Sequence, residues 1–397
     1  MLKGLKRVFY QVPDLAEAKK WYGNFLGMDP LLDTPIMVVF PIQGISLGLI
    51  PSKTPLKEDN GRTSVFWEVD DVDAALRRMI DLGGAVHTGP VNFMTIRSAK
   101  VLDPFGNIIG LTGNVPGAIS KNIESHPSET AITVCYFRAL AARDKRSEIR
   151  GPDTFARLFL SDEWNQRLAE SSFGENDVAR FINHTLYGYF IARTAFIDHV
   201  FKESIRNRIP QIIFLGAGYD SRPYRFCDQL GETKIFELDA PATQNRKREI
   251  LLRQSVPMPP QLSFVPINFN TDDLSAALAG AGFSRNQRSL FIWEGVMYYL
   301  GEAEVDRVMD ALRNNCLPGS WLCFDYVAER LQTSNAGEQM KFWIEKAKIP
   351  AYLGSRGFRV LDHVDTEEMT KRYLLLQDGT PVEKPPSRMH FVLAERQ

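Results

Sequence analysis

The stretch IIFLGAGYDSR, residues 212–222, is an apolar run that breaks into a Gly-x-Gly turn, the pattern of a buried strand delivering its end to a ligand. Gly216 and Gly218 let the backbone approach that ligand closely, in conformations closed to other residues. The next apolar run, KIFELD, ends at Asp239, 21 residues after Gly218, where a carboxylate accepts both hydroxyls of a ribose. Ser221 stands where a dinucleotide loop carries its third glycine. The spacing therefore points to a nucleoside without a pyrophosphate, and S-adenosyl-L-methionine fits that description.

Moving outward, LSFVPINF, SLFIWE and WLCFDYV are further strand candidates separated by helical stretches. Helical patterns at 131–145, 154–169 and 188–207 precede them. Such alternation predicts an α/β domain, doubly wound and Rossmann-like, over residues 129–397, with a parallel sheet. Upstream, GNVPGAISKNIESHPS lacks periodicity and is rich in Gly, Pro, Ser and Asn, as an interdomain linker is. The linker is placed at 116–128, with a separate domain over 1–115.

That first domain is duplicated. Val12, Asp14 and Ala18 recur as Val69, Asp71 and Ala75, an offset of 57 residues. Asp14 with Glu17 forms a capping-box pattern before the helix AKKWYGNFL, and Gly27 and Gly83 follow the two helices as C-cap candidates. Short alternating runs follow each helix, so the unit reads strand, helix, three strands, an α+β fold of paired βαβββ units.

The 397 residues are 44% hydrophobic and 24% charged, with 47 basic against 48 acidic side chains. A net charge of -1 leaves no excess with which to hold nucleic acid or an anionic membrane surface. No apolar run approaches the roughly 18 residues of a membrane span, and the opening MLKGLKRVFYQV lacks a signal-peptide core. A cytoplasmic protein is expected. Cys135, Cys227, Cys316 and Cys323 form no C-x-x-C pair, as expected of reduced thiols.

The stretches RVFYQVPDLAEAKKWYGNFLGM, FWEVDDVDAALRRMIDLGG and LDPFGNIIGL resemble the vicinal oxygen chelate superfamily of glyoxalases, extradiol dioxygenases and bleomycin-resistance proteins. The resemblance implies metal-ligand places on the first and last strands of each repeat. Here those places hold Arg7, Gly48, Ser64 and Gly110, none of which replaces an imidazole or a carboxylate. No metal is expected. Phe9, Phe66, Trp67 and Phe93 either line a cleft for an apolar ligand or pack as sheet core or homodimer surface.

From about residue 130 onward, LGAGYDSRPYRF, FELDAPATQNRKRE and FIWEGVMYYL, with GYFIART upstream, resemble the leucine carboxyl methyltransferase family. The resemblance implies S-adenosyl-L-methionine as cofactor, with Gly216, Ala217 and Gly218 along its methionine part and Asp220 in the same loop. It further implies Asp239 on the ribose, Arg193 on the carboxylate and Glu294 beside the amino group. Asn268 stands where relatives generally carry an Asp near adenine, an amide oxygen still able to accept from the adenine amine.

Singly, these residues have plainer readings. Arg193 with Asp198 makes a surface ion pair, Asp239 an N-cap, Glu294 a turn cap. Tyr298 and Tyr299 wall an acceptor pocket or pack in the core, and His184 is a base or a hydrogen-bonded structural residue. The combined reading is an O-methyltransferase acting on a carboxyl or hydroxyl oxygen of a small molecule. Its alternatives are a hydrophobic ligand-binding or resistance role for the first domain, and methylation of a peptide carboxylate.

Overall fold

A computed structural model describes residues 5–52, 65–93, 96–115, 128–170, 184–330, 340–382 and 385–397. The chain divides into two compact units, Met1–Ser120 and Lys121–Gln397.

In the first unit, β1 (Arg7–Val12), α1 (Leu15–Leu26), β2 (Leu32–Thr34), β3 (Met37–Ile42) and β4 (Ile45–Pro51) make one repeat. The second repeat comprises β5 (Phe66–Glu68), α2 (Val72–Asp81), β6 (Ala85–Phe93), β7 (Ile96–Leu102) and β8 (Ile108–Asn114). Each forms a four-stranded sheet, ordered β1-β4-β3-β2 and β5-β8-β7-β6. Asp14 starts α1 by accepting from the N–H groups of Ala16 and Glu17, and Asp71 starts α2 by accepting from Ala74. Gly27 closes α1 at φ 69°, a left-handed C-cap.

Strand alternation sorts the side chains of this unit. Val8, Tyr10 and Val12 point into a core shared by both repeats with Trp21, Tyr22, Leu76, Met79 and Leu111. The Trp67 indole N–H donates to the Tyr10 hydroxyl at 3.1 Å, and the Tyr22 hydroxyl donates to Asp103 at 2.7 Å. These bonds, the second of them buried, cross between the repeats and tie them together. Trp67 is thereby a core-side residue rather than a cleft ring. Phe9 and Phe66, one position earlier on their strands, face the other way and remain 44% and 38% exposed.

The second unit opens with α3 (Glu129–Ala141), α4 (Asp162–Glu170) and α5 (His184–Arg206). The helical run expected at 154–169 is split into a short 3-10 turn, Ala156–Phe159, and α4. Asp153 accepts from the N–H groups of Phe155 and Ala156, and the Ser161 hydroxyl from Trp164. Two successive caps make two helix starts.

The sheet follows with β9 (Gln211–Leu215), α6 (Arg222–Arg225), β10 (Lys234–Asp239), α7 (Pro241–Arg253), β11 (Leu262–Pro266), α8 (Leu274–Gly280), β12 (Ser289–Trp293), α9 (Glu302–Asn315) and β13 (Trp321–Val327). It ends with α10 (Ile349–Gly354), β14 (Phe358–Val364), α11 (Thr366–Tyr373) and β15 (Met389–Arg396). The order is β11-β10-β9-β12-β13-β15-β14. The expectation of a parallel sheet holds for β9 to β13. It fails at β15, which runs antiparallel to both β13 and β14. Every residue of β9 and β12 is buried, as the central strands of a sheet covered on both faces are. Among the described residues, no helix is long and apolar enough to cross a membrane.

Candidate cofactor site

Parallel strands β10, β9 and β12 end side by side, and the turns leaving them converge. The chain leaves β9 through Gly216 at φ 76° and Gly218 at φ 48°. A Cβ at Gly216 would lie 2.4 Å from Val296, so both the conformation and the space call for glycine. The N–H groups of Gly216 and Ala217 both donate to the Leu238 carbonyl at 2.9 Å.

Asp239, at the end of β10, is not the N-cap of α7, where Ala240 holds that position without a side-chain bond. Its carboxylate instead accepts from the Gly218 N–H at 2.5 Å and the Ala240 N–H at 2.7 Å. One oxygen serves each donor, so each keeps lone pairs for a ligand hydroxyl. Burial pushes its carboxyl above the ordinary value, against the pull of these two N–H groups.

Glu294 follows β12 and is clamped by two arginines. One carboxylate oxygen lies 3.0 Å from Arg193 Nε and the other 2.8 Å from Arg222 Nη1. Arg193 is itself 2% exposed, its guanidinium lying over the rings of Tyr189 and Phe190 and bonded to Asp325 at 2.9 Å. The surface pair of Arg193 with Asp198 is therefore not formed. Asp198 pairs with Arg222 at 2.7 Å and with Arg225 at 2.8 Å.

Asp220 accepts from the backbone and the guanidinium of Arg222. Although burial raises both, Arg222 with its basic neighbours holds the carboxyls of Asp198 and Asp220 below their ordinary values. Tyr298 is buried, its hydroxyl 3.5 Å from Asp325, and its ring meets Tyr299 edge to face at 4.8 Å. Burial, then the Asp325 charge, pushes the phenol well above its usual range. The oxygen of Asn268 accepts from the Asn270 N–H in a local turn. His184 begins α5, and its side chain lies outside the described residues.

Sequence reasoning assigned no role to Arg222, Asp325 or Tyr189, and gave Asp198 only a surface pair with Arg193. Asp325 carried a signal: it is a lone carboxylate inside the apolar strand WLCFDYV, and a buried charge requires a partner.

At the expected metal places of the first unit, the geometry does not fit a metal. A Cβ at Gly48 would meet the Phe9 ring at 2.4 Å, and one at Gly110 the Phe66 ring at 2.6 Å. Gly48 faces Phe9 across β4 and β1, and Gly110 faces Phe66 across β8 and β5. In each repeat a ring thus fills the space that a ligating side chain would take. Ser64 and the Phe93 side chain lie outside the described residues. Among the described residues, no group of three or more His, Cys, Asp or Glu could hold a metal ion.

Comparison with known proteins agrees with this division. Residues 131–313 match the leucine carboxyl methyltransferase family, and residues 4–111 match the glyoxalase/bleomycin resistance protein/dioxygenase superfamily. A relative from Mycolicibacterium smegmatis, named for S-adenosyl-L-methionine-dependent methyl transfer, is 30% identical over 243 residues, 56% of this chain and 73% of its own. One of the same description from Mycobacterium sp. (strain JLS) is 29% identical over 291 residues, 65% of this chain and 90% of its own. A solved glyoxalase-related enzyme from Fulvimarina pelagi is 18% identical, covers 28% of this chain and 89% of its own, and has a TM-score of 0.26.

Proposed function

The chain belongs to the leucine carboxyl methyltransferase family of S-adenosyl-L-methionine-dependent methyltransferases, and from that premise we propose that it methylates a carboxylate oxygen of a small molecule. The observation that supports cofactor binding is the charge around the strand ends. Four guanidiniums, of Arg138, Arg193, Arg222 and Arg225, pair with five carboxylates, of Asp153, Asp198, Asp220, Glu294 and Asp325, the Lys247 ammonium pairs with Glu237, and Asp239 adds a further carboxylate held by backbone N–H groups. The surplus is anionic and suits a cofactor bearing a sulfonium and an ammonium.

When bound, the cofactor supplies an electrophilic methyl on sulfur. Asp239 would hold its ribose, Arg193 its carboxylate, and Glu294 would stand as a fixed anion beside the positive charge. Positioning does most of the work.

The choice of carboxylate over hydroxyl rests on the supply of bases. A hydroxyl must lose a proton for effective attack, whereas a carboxylate is already ionised at neutral pH. Among the described residues of the second unit, His199 lies exposed on α5, and His363 and His390 gather around Tyr326, the neighbour of Asp325 and on the opposite face of β13. One oxygen of Glu294 accepts from Arg222 and the other lies at ion-pair distance from Arg193, and Tyr298 is turned to Asp325. Tyr298→Phe is expected to leave kcat within a few-fold of wild type, against the roughly 100-fold or greater loss that follows removal of a general base. Steady-state kinetics on the folded variant decide it.

A second reading concerns the first unit, where Phe9 and Phe66 occupy equivalent places and stay exposed. The Lys100 ammonium lies 5.8 Å from the centre of the Phe66 ring. We propose a metal-free binding surface for a planar apolar ligand. Elemental analysis of the purified chain should find no stoichiometric Ni, Zn, Fe or Mn. A metal lost on deleting residues 1–115 would overturn this reading. Loss of a dimer in sedimentation of Phe9→Ala/Phe66→Ala would reassign the rings to self-association.

A further inference from the structure

Asp325 is fully buried on β13, and its carboxylate draws in the elements around the cofactor site. One oxygen accepts from the Tyr189 hydroxyl at 2.5 Å and from Arg193 Nη1 at 2.9 Å. The other accepts from the Gly295 N–H at 2.6 Å. Tyr189 and Arg193 are one turn apart on α5, while Gly295 immediately follows Glu294 at the end of β12. A single carboxylate on β13 therefore sets the positions of α5 and of the β12 turn together.

The Gly295 turn is moulded to the same guanidinium. Gly295 lies at φ 72°, and a Cβ there would be 3.2 Å from Arg193 Nη1. With Nη1 bonded to Asp325, Nε facing Glu294 and the guanidinium carbon over the Tyr189 and Phe190 rings, the Arg193 fork is restrained from several sides. A buried guanidinium held this way needs a fixed anion that stays with it when another anion arrives, since removing one partner of a buried pair leaves an uncompensated charge. Glu294 cannot be that anion if it serves the cofactor's amino group. Asp325, sealed from solvent and bonded by Tyr189, Arg193, Gly295 and, at 3.5 Å, Tyr298, can.

We propose that Asp325 is a positioning residue that presets Arg193 and the Glu294–Gly295 turn for the amino-acid end of the cofactor, without touching the cofactor itself. The proposal rests on Arg193 receiving the cofactor carboxylate. It separates the site into an adenosine half, held by Asp239 and the Gly216–Gly218 turn, and an amino-acid half whose geometry depends on β13.

The two halves can be probed independently with the full-length chain. S-adenosyl-L-homocysteine carries both halves, whereas 5′-methylthioadenosine lacks the amino-acid portion. Calorimetric titration should show Asp325→Asn weakening S-adenosyl-L-homocysteine by at least about tenfold while 5′-methylthioadenosine stays within about twofold. Tyr189→Phe, which keeps the ring and removes one donor, should shift the same ligand in the same direction by less. In an Arg193→Lys background, Asp325→Asn should add less than about threefold, because the two residues act as one unit. Equal losses of both ligands, or no loss of either, would overturn the role of Asp325. So would additive losses with Arg193→Lys. A wild-type chain that binds neither ligand would overturn the cofactor assignment beneath it. If Asp325→Asn does not fold, as judged by its melting transition, the Tyr189→Phe pair of titrations carries the same test.

Discussion

Arg222→Met is expected to lower the stability of the second unit by about 3 to 5 kcal/mol, the usual loss when one partner of a buried ion pair is removed. Arg222 has no exposed surface, and its guanidinium pairs with Asp220 while also reaching Asp198 and Glu294. Asp198 would retain Arg225 and Glu294 would retain Arg193, so the loss falls mainly on Asp220. For a domain of this size that corresponds to a fall of roughly 6 to 20 °C in melting temperature. Arg206→Met removes an exposed arginine paired with Glu203 and should change stability by less than about 0.5 kcal/mol. Thermal melts of the two variants side by side give the comparison, and equal shifts would contradict the account of the network.

The network also predicts a sign for pH dependence. Asp198 and Asp220 have folded values depressed below the ordinary carboxylate value. Their contribution is thus present above about pH 4 and is lost as the pH falls through the depressed values. Wild-type melts should fall with acidification in that window, and those of Arg222→Met should fall less.

Asp239→Ala is expected to weaken S-adenosyl-L-methionine by about 1.5 to 3 kcal/mol, roughly 10- to 150-fold in Kd. The substitution removes the ribose contacts and also frees the Gly218 and Ala240 N–H groups, which hold the turn around β9 and β10. Asp239→Asn keeps one acceptor oxygen and should lose less. Titration calorimetry measures both, and an unchanged Kd for Asp239→Ala would remove the carboxylate from the site.

The parts legible in the sequence are those set by local chemistry. Gly216 and Gly218 do take positive φ, and Asp239 does close on Gly218, because a strand–glycine–carboxylate pattern has few ways to fold. The duplicated βαβββ unit was visible for a similar reason, since Asp14 and Asp71 cap helices at equivalent places. Residues whose meaning depends on long-range pairing were read less well. Asp198 looked like a surface partner of Arg193, five positions away on one helix, yet its partners are Arg222 and Arg225, brought in by the turn after β9. Asp325 lies 132 positions from Arg193 and met it only through the packing of α5 on the sheet. β14 and β15 were not among the strand candidates, and alternation reveals a strand and not its direction. Phe9 over Gly48 illustrates the same limit. The sequence shows that a ligand residue is missing, and only the fold shows what fills its place.

The most direct test of the proposed chemistry is the fate of the transferred methyl. The full-length chain is incubated with S-adenosyl-L-methionine labelled in the methyl group and a pool of small carboxylic acids and alcohols, and the labelled product is then treated with mild alkali. The account predicts a methyl ester, so the label should leave as methanol. A labelled product that survives alkali, such as a methyl ether, would contradict a carboxylate acceptor and move the assignment to a hydroxyl deprotonated by a base.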